Sequence, residues 1–205
     1  MSADETKRKE VLSMIVVLDP GHGGTDPGAI GTFPLYGVST QVMERSMTLD
    51  FALAARNYLQ SYKGYTVIMT RDTNKTIYPN ERAAIADNNG ANAFLSIHFN
   101  SGSSTAQGTE TFYNVNRTGD RSFAQAIQDG VLGTMGTVNR GIKPDTQSAL
   151  GRLGVLWGSG SYPRALVEVE FISNPTAMAN IGYDFYERSL DFASGVVNGF
   201  SSYFG

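Results

Sequence analysis

The chain has 205 residues, 41% of them hydrophobic and 17% charged, with a formal net charge of -3. That balance describes one domain with a sizeable core, not a disordered chain, and it gives no basic field for nucleic acid or an anionic membrane surface. With no cysteine and two histidines, disulfides, thiolate zinc sites and cysteine nucleophiles are excluded, so any metal must be held by His, Asp or Glu.

Residues 1–13 are charged, lack the apolar core of a signal peptide, and read as an N-terminal extension to a domain spanning 14–205. No later segment approaches the ~20 apolar residues of a membrane span. Met14 to Leu18 is an apolar, β-branched run that stops at Asp-Pro-Gly, which predicts a buried strand feeding a loop from Asp19 to about Thr40. Gln41 to Tyr62 carries Val42, Leu49 and Leu53 at helical spacing, with Ser39 or Thr40 available as N-cap and Glu44 in the first turn. Tyr65 to Thr70 is expected to be a strand, Asn80 to Asn88 a short helix, and Ala93 to Phe99 a third strand.

Thr109 to Val115 alternates like a half-buried strand and Asp120 to Met135 has helical periodicity. Asn139 to Ser161 is rich in glycine and turn residues, with a short strand expected around Leu153 to Leu156. Arg164 to Phe171 is a further strand and Phe185 to Phe204 a closing helix. Strands alternating with helices imply a single α/β domain: a mostly parallel twisted sheet with helices on both faces. Such sheets bind ligands at the C-terminal ends of their strands.

Both histidines fall at such ends, His22 after the first strand and His98 in Phe94-Leu-Ser-Ile-His-Phe-Asn100. One such histidine is usually an ordinary polar residue. Two in matching positions point to a metal site, because neutral imidazole is the common zinc ligand where cysteine is absent, and a catalytic zinc takes three protein ligands. The missing carboxylate could be Asp19, Asp26, Glu44, Glu110, Glu168 or Glu170, and spacing does not choose among them.

The string Val17-Leu-Asp-Pro-Gly-His-Gly-Gly24 is followed by Glu44, Thr70-Arg71, Arg82 and Ser96-Ile-His-Phe-Asn-Ser101. Gly108-Thr-Glu-Thr-Phe-Tyr113 and Leu166-Val-Glu-Val-Glu-Phe-Ile-Ser-Asn174 come after. This ordered set resembles the zinc-dependent N-acetylmuramoyl-L-alanine amidases of bacterial autolysins and phage endolysins, from about Met14 to the C-terminus. The resemblance implies one zinc per chain held by His22, Glu44 and His98, with Glu168 as the catalytic base. It implies peptidoglycan as substrate, cut between N-acetylmuramic acid and the L-alanine of the peptide stem. Action would be on the bacterial wall, outside the cytoplasm, and a visible leader is missing, which fits phage-type release, mother-cell lysis or a removed signal. A monomer is the expected state. Glu110 and Asn100 match positions outside the ligand set and are assigned a supporting or substrate-contact role.

The sequence departs from the family pattern at Glu170, where a small residue is usual. On a regular strand Glu168 and Glu170 would both face the metal, ~6.6 Å apart. A bulge after Val169 would instead swing Glu170 to solvent or toward Arg140 or Lys143, and the turn-like Ile-Ser-Asn-Pro that follows favours this arrangement. Two other functions fit the residues less well. A stem carboxypeptidase would need a carboxylate-binding arginine such as Arg152 or Arg164, and an inert wall-binding module would have no reason to retain all four site residues. Trp157 could stack on a sugar, although a partly buried core aromatic is the commoner use.

Overall fold

The computed structural model describes residues 14–35, 38–182 and 184–205; the expected extension over 1–13 lies outside them. A six-stranded sheet is built from β1 (Ile15–Pro20), β4 (Thr66–Met69), β5 (Ala93–Asn100), β6 (Thr109–Tyr113), β7 (Asn139–Pro144) and β8 (Arg164–Phe171) in the order β4-β1-β5-β8-β6-β7. The first four strands run parallel, and the parallel pair β6 and β7 joins them through the antiparallel β6–β8 contact. The C-terminal ends of β1, β5 and β8 therefore share a rim with the start of β6 and β7.

Side chains alternate across the sheet and sort the core into two layers. Val16, Leu18, Leu95, Ile97, Phe99, Ala165, Val167 and Val169 face one way, under α1 (Glu44–Lys63), α3 (Asp120–Met135) and α5 (Phe185–Phe204). Val17, Phe94, Leu166 and Phe112 face the other way, toward α2 (Pro79–Asn88) and a 3-10 turn over Gly154–Leu156. Helices thus cover both faces, as expected. On the second face the apolar residues give way toward the rim to Asp19 and Ser96, paired across β1 and β5, and then to His98, Glu168 and Glu110, in register across β5, β8 and β6. The alternation that buries the strands also leaves a polar row beyond the reach of α2.

Three expectations need correction. The loop after β1 contains a hairpin, β2 (Ile30–Leu35) paired antiparallel with β3 (Val38–Met43), so Ser39 and Thr40 are strand residues and α1 starts at Glu44, not Gln41. Leu153 to Leu156 is not a strand; Gly154–Leu156 closes a 3-10 turn through the Trp157 N–H to the Gly154 carbonyl. The stretch Asn139–Pro144 is instead a strand, because β6 offers it a free edge that no local pattern reports. A further helix, α4 (Pro175–Gly182), follows Asn174, whose side-chain oxygen accepts from the N–H groups of Thr176 and Ala177 at 2.9 and 3.1 Å. An Asn cap followed by Pro at the first helical position is a start signal that reading the segment as a turn passed over.

Candidate active site and metal centre

The loop after β1 positions His22. Gly21 continues the parallel pairing through its N–H to the Ile97 carbonyl, and a Cβ there would lie 2.2 Å from the His98 ring, so only glycine allows the loop to pass. His22 then takes a positive φ of 59°, an uncommon conformation for a non-glycine residue that costs about 1–3 kcal/mol. Two buried guanidiniums hold it there by gathering three successive carbonyls. Arg71 donates to Pro20 O at 3.0 Å and Gly21 O at 2.7 Å, and Arg82 donates to Pro20 O and His22 O, both at 2.6 Å. Asp19, fully buried beneath the loop, accepts from Arg82 at 2.7 Å, Thr70 at 2.6 Å and Ser96 at 2.7 Å. The buried charge is thereby paired and hydrogen-bonded, the condition under which a carboxylate can sit in a core.

Gly23 and Asp26 exchange backbone hydrogen bonds at 3.0 and 3.1 Å, which turns the chain back so that Asp26 Oδ2 lies 2.8 Å from His22 Nδ1. The carboxylate fixes that ring and leaves Nε2 facing inward, 3.0 Å from Glu44 Oε2. Glu44 enters from the start of α1, where its own backbone N–H is taken by Ala29 O. Its two oxygens accept from the N–H groups of Ala29 at 2.9 Å and Phe99 at 3.0 Å, and Oε1 lies 3.0 Å from His98 Nδ1. Each of the three side chains offers an atom within 4.8 Å of the others.

The protonation tendencies follow from this packing. Burial works against ionisation of Glu44, but the bonds and charges of His22 and His98 outweigh it and hold the carboxyl below the usual carboxylate range. Burial also lowers the His22 pKa, yet Glu44 and Asp26 overcome it and raise the ring above 6.5. Glu168 behaves in the opposite way. Burial, reinforced by the Glu44 and Glu110 charges, pushes its carboxyl well above the usual range, and its Oε2 is buried with no hydrogen-bond partner.

Two imidazoles and two carboxylates, one of them with an orphaned oxygen, form a site short of positive charge. A divalent cation fits that need, and the nitrogen and oxygen donors suit zinc. Of the carboxylates left open by spacing, Glu44 is the one that lies between the two imidazoles, while Asp19 and Asp26 support the loop and the ring.

Glu110 sits beside Glu168 in the β6–β8 register. It accepts from Arg140 Nε at 2.6 Å, Lys143 Nζ at 2.5 Å and Asn100 Nδ2 at 2.8 Å. Asn100 therefore buttresses Glu110. Glu170 requires a correction. The register steps from His98↔Glu168 to Asn100↔Phe171, so β8 carries the expected extra residue. Yet Glu170 goes neither to solvent nor to Arg140 or Lys143: it is buried, and Oε1 accepts the N–H groups of Gly108 and Phe171. Both cations are already engaged by Glu110.

Arg164, four residues before Glu168, is fully buried and paired with Asp87. The Arg152 guanidinium lies 3.3 Å from the centroid of the Trp157 ring, whose Nε1 donates to Asp145 at 2.6 Å. Arg164 is therefore closed to a terminal carboxylate, and one face of the Trp157 ring is covered. What sequence reasoning missed is the loop-holding work of Asp19, Arg71 and Arg82; their place among the matched motifs was the available signal.

The family described as N-acetylmuramoyl-L-alanine amidase matches residues 16–201. A germination-specific N-acetylmuramoyl-L-alanine amidase of Bacillus subtilis is 30% identical over 206 residues, covering 93% of this chain and 79% of that protein. The catalytic domain of CwlV, an N-acetylmuramoyl-L-alanine amidase from Bacillus (Paenibacillus) polymyxa var. colistinus, superposes with a TM-score of 0.78 at 30% identity, over 93% of this chain and 97% of that one. Cwp6 from Clostridium difficile gives a TM-score of 0.81 at 34% identity, over 94% of this chain and 30% of the larger one.

Proposed function

The chain belongs to the N-acetylmuramoyl-L-alanine amidase family of peptidoglycan hydrolases, and from that premise we propose that His22, Glu44 and His98 hold one zinc ion while Glu168 is the general base. The observation that carries this reading is the closure of two imidazoles around one carboxylate at the strand ends, with the unpartnered Glu168 oxygen beside them. Zinc bound there would supply Lewis acidity toward the scissile carbonyl and the hydrolytic water. The remaining steps belong to the protein. Glu168 Oε2 takes a proton from the water as its oxygen adds to the carbonyl, and returns that proton to the leaving alanine nitrogen as the C–N bond breaks. Asp26 keeps the His22 ring in one orientation, and the Ala29 and Phe99 N–H groups do the same for Glu44.

Residues 14–205 act as the catalytic domain, with 1–13 as an extension, and the site of action is the bacterial wall. No described helix is long and apolar enough to cross a membrane. Digestion of purified wall tests the proposed function. The expected products carry a new L-alanine amine and a new lactyl carboxylate; release of a C-terminal amino acid, or Glu168→Gln turnover near that of the unaltered chain, would count against it.

A further inference from the structure

Beside Glu168 lies a cluster that the hydrolytic steps do not use. Glu110, its side chain 6% exposed, receives both Arg140 and Lys143 on the single oxygen Oε2, while Asn100 occupies Oε1. One cation would neutralise this carboxylate. The second leaves the cluster with a net positive charge, and both cations remain open to solvent, with side chains 34% and 27% exposed. The Arg140 guanidinium is set against the Phe171 ring, 4.6 Å from its centroid. Its Nη2 makes no hydrogen bond among the described residues, and Lys143 Nζ spends one donor of three on Glu110. A rigid guanidinium with an unused Nη2, its Nη1 donating to Gln107 O at 3.4 Å, stands beside an ammonium with unspent donors, and such a pair is suited to receive a carboxylate.

The register sets its distance from the reaction. Glu110 pairs with Glu168 and Glu168 with His98, so the cluster lies roughly 10 Å from His98 across strands spaced ~4.8 Å apart. An extended peptide advances ~3.3–3.6 Å per residue, so the second residue beyond the bond that is cut sits ~7 Å along the stem, and its carboxylate, reaching further, is the group that meets the cluster. We propose that Arg140 and Lys143 bind a carboxylate of the peptide stem and thereby determine which stems this enzyme accepts. The inference rests on the amidase reading and adds a substrate subsite to it.

The test uses two synthetic muramoyl peptides that differ only at the residue after alanine, one with a free carboxylate and the other with a primary carboxamide. The expected ratio of kcat/KM favours the carboxylate by about tenfold, the scale of one charge-assisted contact, and the difference lies in KM. The double variant Arg140→Gln/Lys143→Gln brings the ratio near one. Glu110→Gln, which removes the competing anion, widens it, an outcome that a purely structural role for the cluster would not give. A wild-type ratio near one, or a ratio unmoved by either variant, overturns the proposal. Calorimetric titration with the same two compounds reads the preference without turnover. Failure to hydrolyse either compound would contradict the amidase reading, whereas equal affinity for both would contradict the carboxylate site.

Discussion

Glu168, Glu110 and Glu170 lie within two adjacent strands and meet three different fates. Glu168 keeps an unpartnered oxygen beside the imidazoles, Glu110 is paired with two cations, and Glu170 is turned into the protein by a bulge. Glu168→Gln is expected to keep its metal while turnover falls by roughly 10²–10⁴, the usual value of a positioned general base; metal content and initial rates measured on the same preparation check this. Glu170→Ala leaves the Gly108 and Phe171 N–H groups without their acceptor and should cost about 1–3 kcal/mol in denaturant unfolding. Its metal content should be unchanged. Glu168 was legible in the sequence through its motif, and so was the extra residue in β8. The destination of Glu170 was not, because it depends on the loop before β6 and on Glu110 having already taken Arg140 and Lys143.

The loop after β1 is held by elements distant in sequence: Arg71 follows β4, Arg82 belongs to α2, and Thr48 of α1 donates to Gly21 O at 2.8 Å. Arg82→Met would leave Asp19 as a buried charge without its partner. A loss of about 3–5 kcal/mol follows, together with weaker metal binding as His22 is released from its positive φ; thermal unfolding and metal titration separate the two effects. At α4, Asn174→Ala should cost about 1 kcal/mol, the usual value of an N-cap. Long periodic elements such as α1, α3 and α5 were readable from spacing, and so were β5 and β8 from their apolar runs. The β2–β3 hairpin and β7 were not. Their residues are largely polar or exposed, and they are strands only because a partner strand completes their hydrogen bonds.

At the scale of the whole molecule, one antiparallel junction lets β6 and β7 present Glu110 and Arg140 on the same rim as His98 and Glu168. Alternation gave the two faces but could not give the strand order. Asp120, at the start of α3, links that helix to β8 by accepting from the Arg164 N–H at 3.0 Å. Burial pushes its pKa up to about 6, against the lowering effect of that bond and of Arg117. A carboxyl whose folded pKa lies above its unfolded value stabilises most at low pH, and its contribution is lost as pH rises through about 4 to 6. The stability difference between Asp120→Asn and the unaltered chain should therefore shift in favour of the variant by about 1–3 kcal/mol between pH 4 and pH 7.5. An unchanged difference would show that Asp120 titrates normally. The central claim is the ligand set, and zinc stoichiometry by elemental analysis tests it most directly. One zinc per chain is expected in the unaltered protein and in Glu168→Gln, with little in His22→Ala or His98→Ala; stoichiometric zinc retained in both histidine variants would contradict it.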